Sequence, residues 1–462
     1  MENKEMPLIY CFTYKGNYFV YDTNKNKLMS VSRELYIELQ KLKKGGITNY
    51  LLEEKESTAH NIIVQLIDKG YFSASNVNKI EFPYMEYSYD LLNNNLGKLI
   101  LQVTKDCNFN CRYCAYAANG EYDRIHEKKH MDFQVAKLAI DLLSKASKDT
   151  NKVYITFYGG EPFLEFDLIK KCVSYANSTI KTKDIYFNST TNASILNDDI
   201  IKFLEETSFD LLISLDGPAN IQNNNRRFKN TGKGSYNAVI KNIKNLMVNH
   251  KKYFDEHVMF NCVLLSDKSL NEVEDYFKNE LKIPDNKLKI QRADLSGMDY
   301  LQEIDNGYLG KSTLDASSSI MYDQILGYTN FYDVFMKNSV ISPIWQHNGP
   351  CFPGVQRLFV TCEGDFFPCE KAFEKLKCLN IGNLSNGFDL DQIEKLLSIG
   401  QLSENNCKLC WAKRFCNICA IKCVDFEKDI LSPEKKEEMC KQVKLRTIYN
   451  LKKFIEKEMT LK

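Results

Sequence analysis

The run Cys107-Asn-Phe-Asn-Cys111-Arg-Tyr-Cys114 places three cysteines within eight residues, in the spacing CxxxCxxC. Thiols this close along a chain cannot all pair as disulfides without severe strain. They can instead wrap a loop around one inorganic centre. In a 4Fe–4S cube each thiolate takes a different iron, and three thiolates leave the fourth iron open to a small molecule. The competing explanations are a zinc site and three unrelated core thiols. Zinc commonly uses two CxxC pairs or a mixed Cys/His set. Ahead of the loop, Lys98-Leu-Ile-Leu-Gln-Val103 is a short, continuous apolar run of the kind that forms a buried parallel strand. The loop therefore follows the C-terminal end of a strand, the end at which α/β barrels carry their active sites.

The remaining composition narrows the function. Lys plus Arg number 61 against 60 Asp plus Glu, so no global field favours nucleic acid or an anionic membrane. No apolar run is long enough to span a bilayer, and Met1-Glu-Asn-Lys-Glu-Met-Pro7 does not read as a signal peptide, so a cytoplasmic protein is expected. There, 16 cysteines argue for metal rather than a disulfide framework. A chain of 462 residues is expected to hold two to four domains.

From 96 to 300, strand-like and helix-like runs alternate, which predicts parallel strands joined by crossovers. Strands are expected near 98–103, 153–157, 185–189, 209–214, 258–263 and 288–291. Their ends carry polar motifs: Gly159-Gly160-Glu161-Pro162, Thr191-Asn192 and Ser214-Leu-Asp216-Gly217-Pro218, with Arg226 and Arg227 after the last. Glycines admit a ligand close to the backbone, a carboxylate can hold an ammonium group, and an arginine can fork onto a carboxylate.

These features together resemble the radical S-adenosylmethionine (radical SAM) enzymes. The resemblance rests on the CxxxCxxC loop with Tyr113 before its last cysteine, the GGEP motif and the Ser-Leu-Asp-Gly-Pro block followed by Arg and Gly234-Ser-Tyr236. It implies a partial (β/α)6 barrel over residues 96–300. It implies that Cys107, Cys111 and Cys114 ligate a 4Fe–4S cluster. Tyr113, Gly159, Gly160, Glu161, Asn192, Ser214, Asp216 and Arg226 would bind SAM. Members often carry His-Asp before the Arg. Asparagines stand at 223 to 225 here, so the choice of Arg226 over Arg227 is open.

Residues 349–445 resemble the SPASM domain, which marks radical SAM enzymes that modify peptides and proteins and hold two auxiliary 4Fe–4S clusters. Cys351, Gly364, Cys369, Cys407, Cys410, Cys416 and Cys440 follow that pattern. The usual Cx3C after the third cysteine of the second group is missing, because residue 420 is alanine. Cys419 and Cys423 are the candidates for the missing ligand, with Cys419 favoured slightly. By analogy one cluster takes Cys407, Cys410, Cys416 and Cys440, and the other takes Cys351, Cys369 and Cys419 or Cys423. Cys362 is either a fourth ligand of that second cluster or a core thiol, with the core favoured, and Cys378 is expected to play no part.

At the other end, residues 1–75 predict a three-stranded meander followed by two helices, near 32–42 and 59–68. This is similar to the winged-helix RiPP recognition element of peptide-modifying enzymes; a small packing cap is the alternative. Residues 76–95 are expected as a linker, 301–348 as a bridging region with an amphipathic stretch near 319–336, and 446–462 as a terminal helix. The resemblance implies an enzyme that cleaves SAM reductively and uses the 5′-deoxyadenosyl radical on a precursor peptide with leader and core. Thioether crosslinks of the sactipeptide and ranthipeptide type are the favoured product. Carbon–carbon crosslinking and formylglycine formation in sulfatases are alternatives, as is a non-catalytic iron–sulfur electron-transfer protein. Flavodoxin or ferredoxin is the expected reductant, with no nucleic-acid or membrane partner.

Overall fold

The computed structural model describes residues 5–53, 57–82, 85–114, 126–266, 269–293, 328–337, 340–346 and 351–460. The chain packs as two compact units. One takes Met1–Met85, Leu326–Pro350 and Glu394–Lys462; the other takes Glu86–Ile325 and Cys351–Ile393.

In the first unit, β1 (Ile9–Tyr14), β2 (Asn17–Asp22) and β3 (Lys27–Val31) form an antiparallel meander in that order. Lys15 and Gly16 turn the first hairpin, both at positive φ, as a tight two-residue turn requires. Helix α1 (Arg33–Gly45) starts at Ser32, whose side chain accepts from the Leu35 amide, and stops at Gly46. α2 (Ile47–Leu52) follows at once; at six residues it is too short for its periodicity to show in the sequence. α3 (Thr58–Asp68) is capped by Ser57.

Strand alternation sends the meander's side chains to two faces, and both are covered. Ile9 and Val20 pack with Leu39, Leu42, Tyr50 and Ile63 of α1–α3. Phe12, Phe19 and Tyr21 pack with Phe331 of helix Tyr328–Met336 and with Leu451 and Ile455 of helix Pro433–Thr460. Tyr10 stacks on Trp411 with centroids 4.0 Å apart. Arg414 is only 2% exposed; its Nε donates to Thr23 O at 2.6 Å and its Nη2 to Asn24 O at 3.0 Å. Asn26 Nδ2 donates to Phe335 O at 2.8 Å and Lys337 O at 3.1 Å, at the end of helix Tyr328–Met336.

The meander thus shares its core with the Cys-rich region, and this packing differs from separate domains at 1–75 and 349–445. The expected linker 76–95 carries structure as well: Lys79–Ile80 pairs in parallel with Ile344–Trp345, and Ser88–Asn94 is helical. Both pieces are too short to leave a pattern in sequence. Of the expected bridging region, residues 301–327, 338–339 and 347–348 lie outside the described residues, as does 319–327 of its amphipathic stretch. Helix Pro433–Thr460 buries Val443, Leu451 and Ile455, whereas Leu445 is exposed; residues two apart on a helix point to opposite sides.

In the second unit the six parallel strands are β4 (Lys98–Thr104), β5 (Lys152–Gly159), β6 (Asp184–Thr191), β7 (Asp210–Ser214), β8 (Val258–Leu264) and β9 (Leu288–Arg292). Each lies beside its predecessor in sequence, and all six end at one edge. Helices Phe133–Ala146, Phe166–Thr179, Asp198–Glu206 and Tyr236–Asn249 fill the first four crossovers. Two further strands join beyond β4. β10 (Leu358–Val360) pairs parallel to β4, and β11 (Phe366–Phe367) pairs antiparallel to β10. They were not visible in the sequence because three and two residues show no alternation. Gly364, at φ 90°, turns this hairpin, and its amide donates to Thr361 O. Among the described residues no helix is long and apolar enough to cross a membrane.

Arg414→Ala leaves two carbonyls of the β2–β3 turn without their charged donor. It is expected to cost about 3 kcal/mol, read as a lower urea midpoint by tryptophan fluorescence. An unchanged midpoint would show that water replaces the guanidinium there.

Candidate active site

The cysteine loop leaves β4 and is held from two sides. On one side, the β5 end presses against it. Gly160 N donates to Thr104 O at 3.1 Å and Glu161 N to Asp106 O at 2.9 Å. There is no room for a side chain: a Cβ on Gly159 would stand 2.0 Å from Thr104 O, and one on Gly160 would stand 2.1 Å from Asp106 O and 3.0 Å from Cys107 Cβ. The buried Glu161 carboxylate accepts from Thr191 Oγ1 at 2.8 Å, Asn192 N at 2.7 Å and Phe163 N at 3.2 Å. Burial pushes it up to about 7, although all three donors pull it down. Asn192 Nδ2 donates back to Asn108 Oδ1, inside the loop, at 2.8 Å.

On the other side stands Asp216, fully buried beyond the end of β7. It accepts from the Tyr113 hydroxyl at 2.6 Å and from Val263 N at 3.2 Å. Arg226 Nε lies 3.1 Å from Asp216 Oδ2, yet that N–H is buried without a hydrogen bond. The contact is an ion pair by distance, with poor alignment for a bond. The guanidinium also sits over the Tyr113 ring, 5.3 Å from its centroid. Arg226 faces this site because Arg226–Phe228 pairs antiparallel with Phe109–Cys111, setting Arg226 opposite Cys111; Arg227 is exposed and bonds Asn223 O. Ser214 is buried at the end of β7.

Cys107 and Cys111 are buried and Cys114 half-buried. The Phe109 amide donates to Cys107 Sγ at 3.4 Å. Burial raises Cys107 and pushes Cys111 up to about 12, so replacement of their protons by metal is what would make them anions. His126 Nε2 stands 4.0 Å from Cys114 Sγ. Among the described residues no three Cys, His, Asp or Glu side chains converge to hold one metal ion. A four-iron cube asks for less, because it takes one thiolate per iron.

In the same unit, Cys351 is half-buried and Cys369 buried. Cys362 is buried, and its Sγ donates to Gln102 O of β4 at 3.0 Å, as a core thiol does. Cys172 and Cys262 are fully buried.

The first unit holds a separate sulfur-lined cavity of about 390 Å³. Cys407, Cys410, Cys416 and Cys440 all line it, as do Trp345, Trp411 and Lys413. Burial raises Cys410 and pushes Cys416 up to about 12, and it lowers Lys413 to about 8. The Trp345 indole N–H is buried with no hydrogen-bond partner. A buried lysine and a spare donor beside four thiols suit a group that carries negative charge, as an iron–sulfur cluster on four thiolates does. Cys419 and Cys423 do not line this cavity; Cys423 Sγ lies 3.6 Å from Cys419 O.

Asn108, His126, Lys436 and the two tryptophans were not anticipated as site residues. Lys436 had one signal, since it precedes Cys440 by four residues, one helical turn.

Gly160→Ala must push the cysteine loop away. It is expected to remove about four irons per chain after anaerobic reconstitution, with the far-ultraviolet spectrum preserved. Gly45→Ala, where a Cβ meets nothing, should keep them. Full iron content in the Gly160 variant would show that the loop tolerates displacement.

Residues 101–278 match the radical SAM superfamily. Radical SAM cyclopropyl synthase TigE of Paramaledivibacter caminithermalis is 26% identical, over 55% of this chain and 54% of that one. A cysteine-type anaerobic sulfatase-maturating enzyme of Clostridium novyi is 27% identical, over 40% of this chain and 48% of that one. The chain thus spans about half the length of these two curated relatives. Among solved structures, native anSMEcpe with bound AdoMet superposes with a TM-score of 0.55 at 19% identity, covering 78% of this chain and 98% of that one, which establishes a shared fold. Enzymes of the superfamily use SAM and a 4Fe–4S cluster. The strand-end cysteine loop and the Gly-Gly-Glu turn that clamps it thus lie within the stretch that matches the radical SAM superfamily, whose members are enzymes.

Proposed function

We propose that this enzyme is a peptide maturase that installs thioether crosslinks, from cysteine sulfur to carbon, in a ribosomally made precursor. The observation that carries the peptide reading is the meander. Both its faces are covered, and β3 pairs with β2 alone among the described residues, so its other edge offers backbone N–H and C=O groups to an extended leader. A leader tethered there would raise the core peptide's effective concentration.

Cys107, Cys111 and Cys114 would hold the cluster. Glu161 would take the ammonium group of SAM, and Arg226, with its leftover N–H, the carboxylate. Gly159, Gly160, Asn192, Ser214 and Tyr113 would shape the rest of that pocket, with Asp216 holding Tyr113 and Arg226 in place. When bound, SAM and the cluster supply a carbon radical that takes a hydrogen atom from an unactivated C–H bond. The four-cysteine cavity supports one auxiliary cluster on Cys407, Cys410, Cys416 and Cys440. A second on Cys351, Cys369 and Cys419 or Cys423 rests on the sequence pattern. We place the enzyme in the cytoplasm, where a reducing poise disfavours disulfides among its 16 cysteines and a flavodoxin or ferredoxin can supply electrons.

A second reading, formylglycine formation in a sulfatase, is favoured by the sulfatase-maturating relative. The two separate by sulfur. Incubated with SAM and reductant, the enzyme should make 5′-deoxyadenosine and leave a precursor peptide with its sulfur retained and two hydrogens lost. A sulfatase cysteine peptide that loses its sulfur while the precursor stays unmodified would replace the first reading with the second. Cys407→Ala with Cys410→Ala should still make some 5′-deoxyadenosine while product is lost. Its complete absence in folded protein would show that the auxiliary centre serves SAM cleavage itself.

The meander's shared core also governs how the leader site is tested. Deleting residues 1–75 would strip the cover from Phe331, Trp411 and Leu451, so an edge substitution is the cleaner probe. Ser30→Pro on β3 is expected to weaken precursor modification at least tenfold and leave SAM cleavage intact. Equal modification rates would make the meander a packing cap.

A further inference from the structure

Helix Pro433–Thr460 brings more than Cys440 to the sulfur-lined cavity. One turn earlier it carries Lys436, a lysine only 2% exposed. Its Nζ donates to Cys407 Sγ at 3.1 Å and to Ser403 Oγ, and Ser403 Oγ is itself 3.6 Å from the same sulfur. Among the described residues no carboxylate pairs with it. A buried ammonium without an anion is costly. A sulfur bound to iron carries the negative charge that would compensate it. The proposed site residues include Cys440 and Cys407 but leave this cation without a role.

We infer that Lys436 is the positioning residue of this auxiliary centre: its ammonium holds the Cys407 sulfur and raises the centre's reduction potential. The inference rests on the reading of Cys407, Cys410, Cys416 and Cys440 as cluster ligands. The sign follows from charge. Reduction adds an electron to a group that is already negative, and a fixed cation at hydrogen-bond distance stabilises the reduced state more than the oxidised one. Hydrogen bonds to cluster sulfurs act in the same direction. The helix supplies the geometry, since residues four apart lie on one face and reach neighbouring sulfurs.

The test uses the full chain, anaerobically reconstituted. The chain's 2 tryptophans, Trp345 and Trp411, both line the cavity, so a bound cluster should quench its intrinsic fluorescence. The reduction wave that disappears in Cys407→Ala identifies the centre in a potentiometric titration followed by electron paramagnetic resonance. Lys436→Met should keep the quenching and move that wave to lower potential by roughly a tenfold change in the reduction equilibrium, about 59 mV for one electron. Lys436→Arg should bring it back. If Lys436→Met loses the centre and Lys436→Arg keeps it, the ammonium's hold on Cys407 is supported directly. An unshifted wave in Lys436→Met, or loss of the centre in both variants, overturns the inference and leaves a packing role. A parent protein with neither quenching nor a wave sensitive to Cys407→Ala overturns the cluster reading beneath it.

Discussion

The backbone contact between the Gly159-Gly160-Glu161 turn and the cysteine loop is the constraint on which the site depends. Two amides bond the carbonyls of Thr104 and Asp106, at an approach that leaves no volume for a side chain at Gly159 or Gly160. That closeness lets one strand end carry the next. The Glu161 carboxylate reaches Thr191 and Asn192, and Asn192 returns to Asn108 in the loop. Asp216 closes the other side by joining Tyr113 to the β8 backbone. The loop is therefore oriented by β5, β6, β7 and β8 together.

Much of this was legible in the sequence because each part has a strong local signature. The parallel strands are continuous apolar runs, and the glycines and cysteines stand at short fixed spacings. The six strands β4–β9 appear where the apolar runs predicted them. What the sequence hid is of two kinds. Elements of two to six residues, such as α2, β10 and β11, are made by tertiary pairing and leave no periodicity. Roles set by partners far along the chain are equally silent. Its residue type marks Glu161 as a hand for a ligand, yet two of its acceptor positions already bind the next strand end and a third binds the Phe163 amide. Arg226 and Arg227 look identical in sequence, and only pairing with Phe109–Cys111 turns the first toward Cys111.

The N-terminal meander is the sharpest case. Its strands and flanking helices were readable, because turn residues and caps are local. That its aromatic face is covered by residues more than 300 positions later was not. Local patterning shows that Phe12, Phe19 and Tyr21 share a face, but not what will bury it.

That long-range cover has a consequence for how the protein is made. Phe12, Phe19 and Tyr21 leave the ribosome long before Leu451 and Ile455 exist. At a synthesis rate of roughly 5–20 residues per second, the interval is on the order of half a minute or more. Through that time a nascent sheet displays an aromatic face and open edges to solvent, a combination prone to aggregate. The barrel unit can fold meanwhile, apart from the β10–β11 hairpin, which is translated after it. The enzyme's yield in a cell should therefore be governed less by its final stability than by chaperone capture of its first thirty residues.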